Sequence, residues 1–298
     1  MKFRQRSFDS LPKQQSGLAL VMVLWLIMLL GIIASGHTYN VHIESRLAAA
    51  NIQMAKARAS VEAGLNVAIL QLLTTNSTSP WPIDGTVEHF RLANTEILIA
   101  IRDATGLIDL NEAGPDLLQN LLTALEIDAN QQKRIIAAIL DWRDGDDLTR
   151  LDGAEAPDYL SSGLPWTPRD GAFSSVEELR YVMGITQRLF NDMAPFVTVY
   201  SEQAGINLEF AAPFLISAMQ GQDIMPAATR PSQSNTQSAI APGSGTYHIY
   251  MSSINNEGTG ASAEAVIRVS EDSDKPYRVL YWRDSMRTQF PDDEVAES

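Results

Sequence analysis

From Leu18 to Ile43 the chain carries 26 residues without a formal charge, and the first 17 are almost all large and apolar. At ~1.5 Å per residue this run exceeds the ~30 Å hydrocarbon core of a bilayer and predicts a transmembrane helix. The pattern then changes character without breaking. Arg46–Leu73 is rich in Ala, Leu, Gln, Lys and Arg, with Val61, Leu65, Ala68 and Leu72 at helical spacing, and no Pro intervenes. A single helix of about 80 Å is therefore expected, apolar all round in its first half and one-sided in its second.

Alternation with a period of two follows a polar loop at Thr74–Pro80. Val87–Arg91 and Glu96–Arg102 predict a hairpin, and Tyr247–Ile254, Ala263–Ser270 and Tyr277–Trp282 predict further strands, with Phe196–Tyr200 as another. Between the two strand groups the period returns to that of a helix. Leu117–Leu125, Gln131–Trp142 and Val176–Met183 are expected helices, the last opened by a Ser175/Glu178 capping box. The resulting plan is α+β, with an inserted all-helical subdomain over 113–191 and a mobile loop over 220–245 rich in Ser, Gln, Ala, Pro and Gly. A weak repeat frames the insertion. Ile108-Asp109-Leu110 and Ile206-Asn207-Leu208 each run through Ala and a small residue to Pro115 or Pro213, at the expected first turn of a helix.

Charge refines this plan. The chain has 298 residues, 45% hydrophobic content, no Cys and a formal net charge of −14. Lys2, Arg4, Arg6 and Lys13 against Asp9 make the first 17 residues +3, which leaves −17 for the rest. Positive residues before an apolar span hold the N-terminus in the cytoplasm and send the acidic body outside. Such a body repels phosphate backbones, so no nucleic acid is expected as a partner. With no Cys there is no disulfide and no thiolate chemistry.

The densest chemistry lies in Asp141–Tyr159, D-W-R-D-G-D-D-L-T-R-L-D-G-A-E-A-P-D-Y, where six Asp and one Glu fall within 19 residues. Carboxylates so close repel one another unless neutralised, and hard cations take six to eight oxygens. Asp141, Asp144, Asp146, Glu155 and Asp158 are the expected ligands of Ca²⁺, although the spacing is not that of an EF-hand. The competing reading is a solvated acidic loop with a turn at Asp144-Gly145.

The basic leader, Gly17, apolar Leu18 and long helix resemble a type IV prepilin signal. The resemblance implies cleavage between Gly17 and Leu18 by a prepilin peptidase, N-methylation of Leu18, and retention of the apolar segment. An ordinary secretory signal would instead be cut near Ala34-Ser35-Gly36 after a shorter apolar run. Pilins carry Glu at the fifth residue after the cut. Here that residue is Met22, which points either to a protein that is not a pilin or to the first subunit of a filament.

The wider pattern is similar to the K-type minor pseudopilins of type II secretion. It is carried by Gly17-Leu18 without the Glu, Leu107-Ile108-Asp109-Leu110-Asn111, Asp141-Trp142-Arg143-Asp144 with Gly153-Ala154-Glu155, and Phe173-Ser174-Ser175-Val176-Glu177-Glu178-Leu179. The resemblance implies a pilin-like fold, with a long N-terminal helix on an antiparallel sheet that the helical subdomain interrupts. The corresponding division is a cleaved leader (1–17), a transmembrane half-helix (18–43), helix continuation with first strands (44–112), the insertion (113–191) and the remaining strands (192–298). It also implies a non-enzymatic role in starting pseudopilus assembly at the filament tip. The partners implied are the I- and J-type minor pseudopilins, the major pseudopilin and the prepilin peptidase, with the chain held in the inner membrane and its body in the periplasm. Two other classes compete. A helix-hairpin-helix nucleic-acid binder lacks the necessary cations, and a carboxylate hydrolase lacks a visible His or apolar pocket beside its acids.

Overall fold

A computed structural model describes residues 16–74, 81–93, 95–219, 243–255, 260–270 and 274–285, and the side chains of all of these except 16–17, 33–43, 255 and 285. Most of the expected leader, residues 75–80 of the first expected loop and residues 220–242 of the second lie outside the described residues. Two compact units are present, residues 1–55 and residues 56–298.

In the first unit the backbone is helical from Ser16, the start of α1 (Ser16–Leu73). Its apolar side chains from Leu18 to Ile32 are exposed, Trp25 by 68%. Among the described residues no helix is long and apolar enough to cross a membrane. The expected span takes in residues 33–43, whose side chains are outside the described set.

In the second unit the last turns of α1 lie on a five-stranded antiparallel sheet. Its strands are β1 (Asp84–Leu92), β2 (Thr95–Asp103), β5 (Thr246–Asn255), β6 (Gly260–Val269) and β7 (Tyr277–Ser285), in the order β1-β2-β5-β6-β7. Period-two patterning explains the register. Ile97, Ile99 and Ile101 of β2 and Tyr247, Ile249 and Met251 of β5 share one buried face and meet Val61, Ala68, Ile69 and Leu72 of α1. Gly64 permits the close approach, since a Cβ there would stand 3.0 Å from Ile97 Cγ2. Ser253 Oγ donates to the Ala57 carbonyl at 3.0 Å and fixes the helix along the sheet. Truncating Ile99 or Ile249 to Ala, each fully buried, removes about 3 kcal/mol.

The chain between the paired neighbours β2 and β5 builds a second core. It contains β3 (Ile108–Asp109), α2 (Pro115–Ala124), α3 (Ala129–Arg143), α4 (Ala156–Ser161), α5 (Gln187–Met193), β4 (Val197–Thr198) and α6 (Pro213–Met219). Its apolar cluster draws on residues from Ile108 to Met219, on both sides of the stretch 113–191. Phe196–Tyr200 contributes only β4, which pairs in parallel with β3 away from the main sheet. Val176–Tyr181 is a 3₁₀ turn rather than an α-helix, and Ser175 does not cap it. Glu178 instead accepts from the Ser174 N–H and the Arg169 guanidinium. Both repeat segments do lead into Pro-initiated helices, α2 and α6, which pack on each other. Only the first has a strand before it.

Polar side chains join the two cores. Glu177 Oε1 accepts from Tyr281 OH and Arg283 Nη1, both at 2.7 Å. Arg283 Nη2 reaches Glu264 Oε2 at 2.6 Å, and Glu264 Oε1 lies 3.4 Å from His248 Nδ1. His248 Nε2 is 2.9 Å from Thr198 Oγ1 on β4. The chain of contacts ties the 3₁₀ turn and β4 to β5, β6 and β7.

Candidate functional site

The acidic segment begins on the last turn of α3, and three consecutive side chains there face three ways. Trp142 enters the helical core, its ring 6.1 Å from both Phe173 and Tyr159. Arg143 donates to the carbonyls of Leu110 and Ala113, the latter at 2.8 Å, and so closes the turn after β3. Asn111 completes that corner, accepting from the Phe173 N–H at 2.7 Å and donating to its carbonyl at 3.1 Å. Asp109 accepts from Ser201 Oγ and the Glu202 N–H.

Asp141 faces the loop and is fully buried. Its Oδ2 accepts from the backbone of Ala154 at 2.9 Å and of Arg150 at 3.3 Å, while Oδ1 takes Arg150 Nη1 at 2.7 Å. The same Nη1 meets Asp144 Oδ2. Those two carboxylates hold the guanidinium pKa above its ordinary value. Gly153 has no room for a side chain, because a Cβ would lie 1.9 Å from Asp141 Oδ2. Tyr159 is buried; its hydroxyl accepts from the Met183 N–H at 2.9 Å, and burial pushes its pKa up to about 12.

Of the five expected ligands, Asp141, Asp144 and Glu155 feel one another's charge. Glu155 is buried, with its Oε1 lacking a hydrogen-bond partner, and Asp144 Oδ1 is also without one. Burial foremost, then the fields of Asp141, Asp144, Asp170 and Asp147, pushes the Glu155 carboxyl up to about 7. Asp146 and Asp158 are engaged locally. Asp146 Oδ1 accepts from the Leu148 N–H at 2.9 Å, and Asp158 Oδ2 caps the Glu155 N–H at the start of α4 at 3.0 Å. Among the described residues no three His, Asp or Glu side chains are grouped so as to hold a metal ion. Arg150 and Gly153, absent from the expected site, are what close the loop. Arg150 was visible as the only cation between Asp144 and Tyr159.

Comparison with known proteins fits this geometry. A family model described as "Type II secretion system (T2SS), protein K" matches residues 97–202, which include β3, the Asn111 corner and the whole acidic loop. Over this stretch the chain is similar to the protein K family of type II secretion. Type II secretion system protein K of Aeromonas hydrophila is 26% identical over 230 residues, 67% of this chain and 69% of that protein. The Klebsiella pneumoniae protein is 27% identical over 212 residues, and the match spans 64% of each. The Pectobacterium carotovorum protein is 33% identical over 100 residues, a match spanning only 30% of its length. A solved chain in the GspK-GspI-GspJ complex of enterotoxigenic Escherichia coli shares the fold, with a TM-score of 0.57 and 17% identity, covering 82% of this chain and all of that one. In this chain, residues of the matched stretch clamp the β3 corner and the acidic loop.

Proposed function

We propose that the chain is a non-enzymatic minor pseudopilin that sits at the tip of the type II secretion pseudopilus, starts its assembly and so promotes export across the outer membrane. The observation that carries this reading is the pairing of β2 with β5 across a helical insertion, on a fold shared with the K chain solved together with its I and J partners. The I- and J-type minor pseudopilins are the expected direct partners and the major pseudopilin the subunit added below them. A bulky insertion favours the end of a filament, where no subunit lies above, and Met22 in place of Glu agrees with it. Leu18–Ile43 would anchor the chain in the inner membrane with the body in the periplasm, after prepilin peptidase cleaves Gly17–Leu18 and Leu18 is N-methylated.

The full-length chain, co-expressed with its I- and J-type neighbours and extracted in detergent, is expected to co-purify with both. Recovery of the chain alone would overturn the tip reading. Gly17→Leu is expected to abolish the mature N-terminus at Leu18 in N-terminal sequencing, and a mature start at Leu18 in that variant would refute the prepilin assignment.

The same reading includes a hard divalent cation, Ca²⁺, at the acidic loop. Its support is chemical: two buried carboxylate oxygens, on Glu155 and Asp144, lack partners in a cluster with more acids than cations. Asp141, Asp144 and Glu155 would hold the ion, with Asp146 and Asp158 turning inward and Arg150 released to solvent. Bound Ca²⁺ would neutralise the carboxylates and stiffen the loop. Millimolar Ca²⁺ is expected to raise the melting temperature and EDTA to lower it, and Asp141→Ala with Glu155→Ala to remove both responses. An identical melt in Ca²⁺ and EDTA would remove the ion from the reading.

A further inference from the structure

The two most exposed large apolar side chains among the described residues are not on α1. They are Leu151, 91% exposed, and Leu148, 76% exposed, on the loop between α3 and α4. Both belong to an ordered turn. Arg150, which separates Leu151 from Thr149, is drawn inward onto Asp141 and Asp144, the Leu148 N–H is bonded to Asp146, and the Gly153 N–H to the Arg150 carbonyl at 2.9 Å. Turning the cation in leaves the leucines out. The exposed charges beside them are Asp146, Asp147 and Asp152, together with Arg150, which is 42% exposed but has its charge met by Asp141 and Asp144.

We propose that residues 146–152 form a docking surface whose two leucines enter an apolar pocket, rimmed by Lys or Arg, on a separate protein. Apolar anchors surrounded by charge are the usual anatomy of such an interface. Charge complementarity selects the occupant. A second copy brings a net −14 against the same sign, the chain's own Asp292-Asp293-Glu294 tail is acidic, and anionic lipid repels the three aspartates. A cationic protein surface remains. The inference stands on the loop in its cation-free form, with Arg150 turned in and Asp146 out, and does not depend on the pseudopilin reading.

The test places a photo-crosslinking amino acid at 148 or 151 of the full-length chain in its host, with Arg188, whose side chain is 93% exposed on α5, as the control position. A discrete protein adduct from 148 and 151 but not from 188, mapping to a Lys- or Arg-lined surface, is expected. An adduct with an I- or J-type pseudopilin on such a surface supports the proposal equally. Leu148→Ser with Leu151→Ser should lower recovery of that protein at least about tenfold with an unchanged melting temperature, and Asp146→Lys with Asp147→Lys and Asp152→Lys should also lower it. Adducts only with lipid or a second copy, an acidic contact surface, equal labelling from 188, or undiminished recovery in either variant would overturn the proposal. Loss of I- and J-type co-purification from the unsubstituted chain would instead refute the tip reading and leave the docking surface intact.

Discussion

Two glutamates of this chain, Glu155 buried and Glu264 largely buried, have their pKa values moved in opposite directions. Glu264 lies between the sheet and the helical core, where burial pushes its pKa upward, but His248 and Arg283 outweigh burial and hold it below its ordinary value. Glu155 lies behind the acidic loop, where burial acts in the same direction and its neighbours are Asp141, Asp144, Asp170 and Asp147, so it rises to about 7. The difference is the local supply of cations. At the junction, Arg283 bridges Glu177 and Glu264, and the polar chain is satisfied in the way a rigid connection requires. At the loop, Arg150 is committed to Asp141 and Asp144 and leaves Glu155 uncompensated. The first arrangement is complete within the chain. The second leaves a buried carboxyl without a cation of its own within the chain.

The largest expected effect comes from cutting the loop at its centre. Asp141→Ala deprives the Ala154 N–H and Arg150 of their acceptor and should cost about 3 kcal/mol in urea unfolding. Gly153→Ala drives a methyl into the same carboxylate and should cost about 2 kcal/mol. If both are neutral, Asp141 is not the organiser of the loop.

Breaking the junction should cost less, since half of the Arg283 side chain is exposed. Glu177→Gln and Arg283→Met are each expected to destabilise by roughly 1–2 kcal/mol, with a coupling of about 1 kcal/mol in the double-mutant cycle. Strict additivity would mean that the polar chain does not join the cores.

The comparison also has a pH signature. A carboxyl held low in the fold binds fewer protons than in the unfolded chain. Its stabilisation is therefore full above the ordinary Glu value near ~4.3 and fades as pH falls through the folded value. Glu264→Gln should flatten the acid limb of the stability curve, measured by urea unfolding between pH 3 and 6. An unaltered limb would show that His248 and Arg283 do not stabilise the Glu264 anion.

The smallest effect should have the opposite sign. Glu155→Gln removes an uncompensated buried charge while keeping its shape, so without added cation it should raise stability by up to about 1 kcal/mol. It should also weaken any response to Ca²⁺. Destabilisation by this isosteric change would indicate that Glu155 already has a cationic partner.

Several parts of this fold were readable in the residues because they rest on local periodicity. The Val61–Leu65–Ala68–Leu72 stripe, the β1–β2 hairpin and the strands β5 to β7 each repeat a spacing that only one backbone geometry turns into a single buried face. The acidic loop stood out by composition, and Pro115 and Pro213 marked their helices. Where contact partners lie far apart in sequence, local pattern carried no such information. Val176–Tyr181 has the apolar spacing of an α-helix, yet it forms a 3₁₀ turn whose Glu177 is bonded to Tyr281 and Arg283 of β7. The Asn111–Phe173 clamp and the choice of Arg150 as the cation for Asp141 are likewise decisions of the folded chain. Helical and strand periods follow from backbone sterics within a few residues, so the sequence alone determined them. Which charges meet depends on how distant segments are brought together, and only the tertiary structure decided that Glu264 would be paired and Glu155 would not.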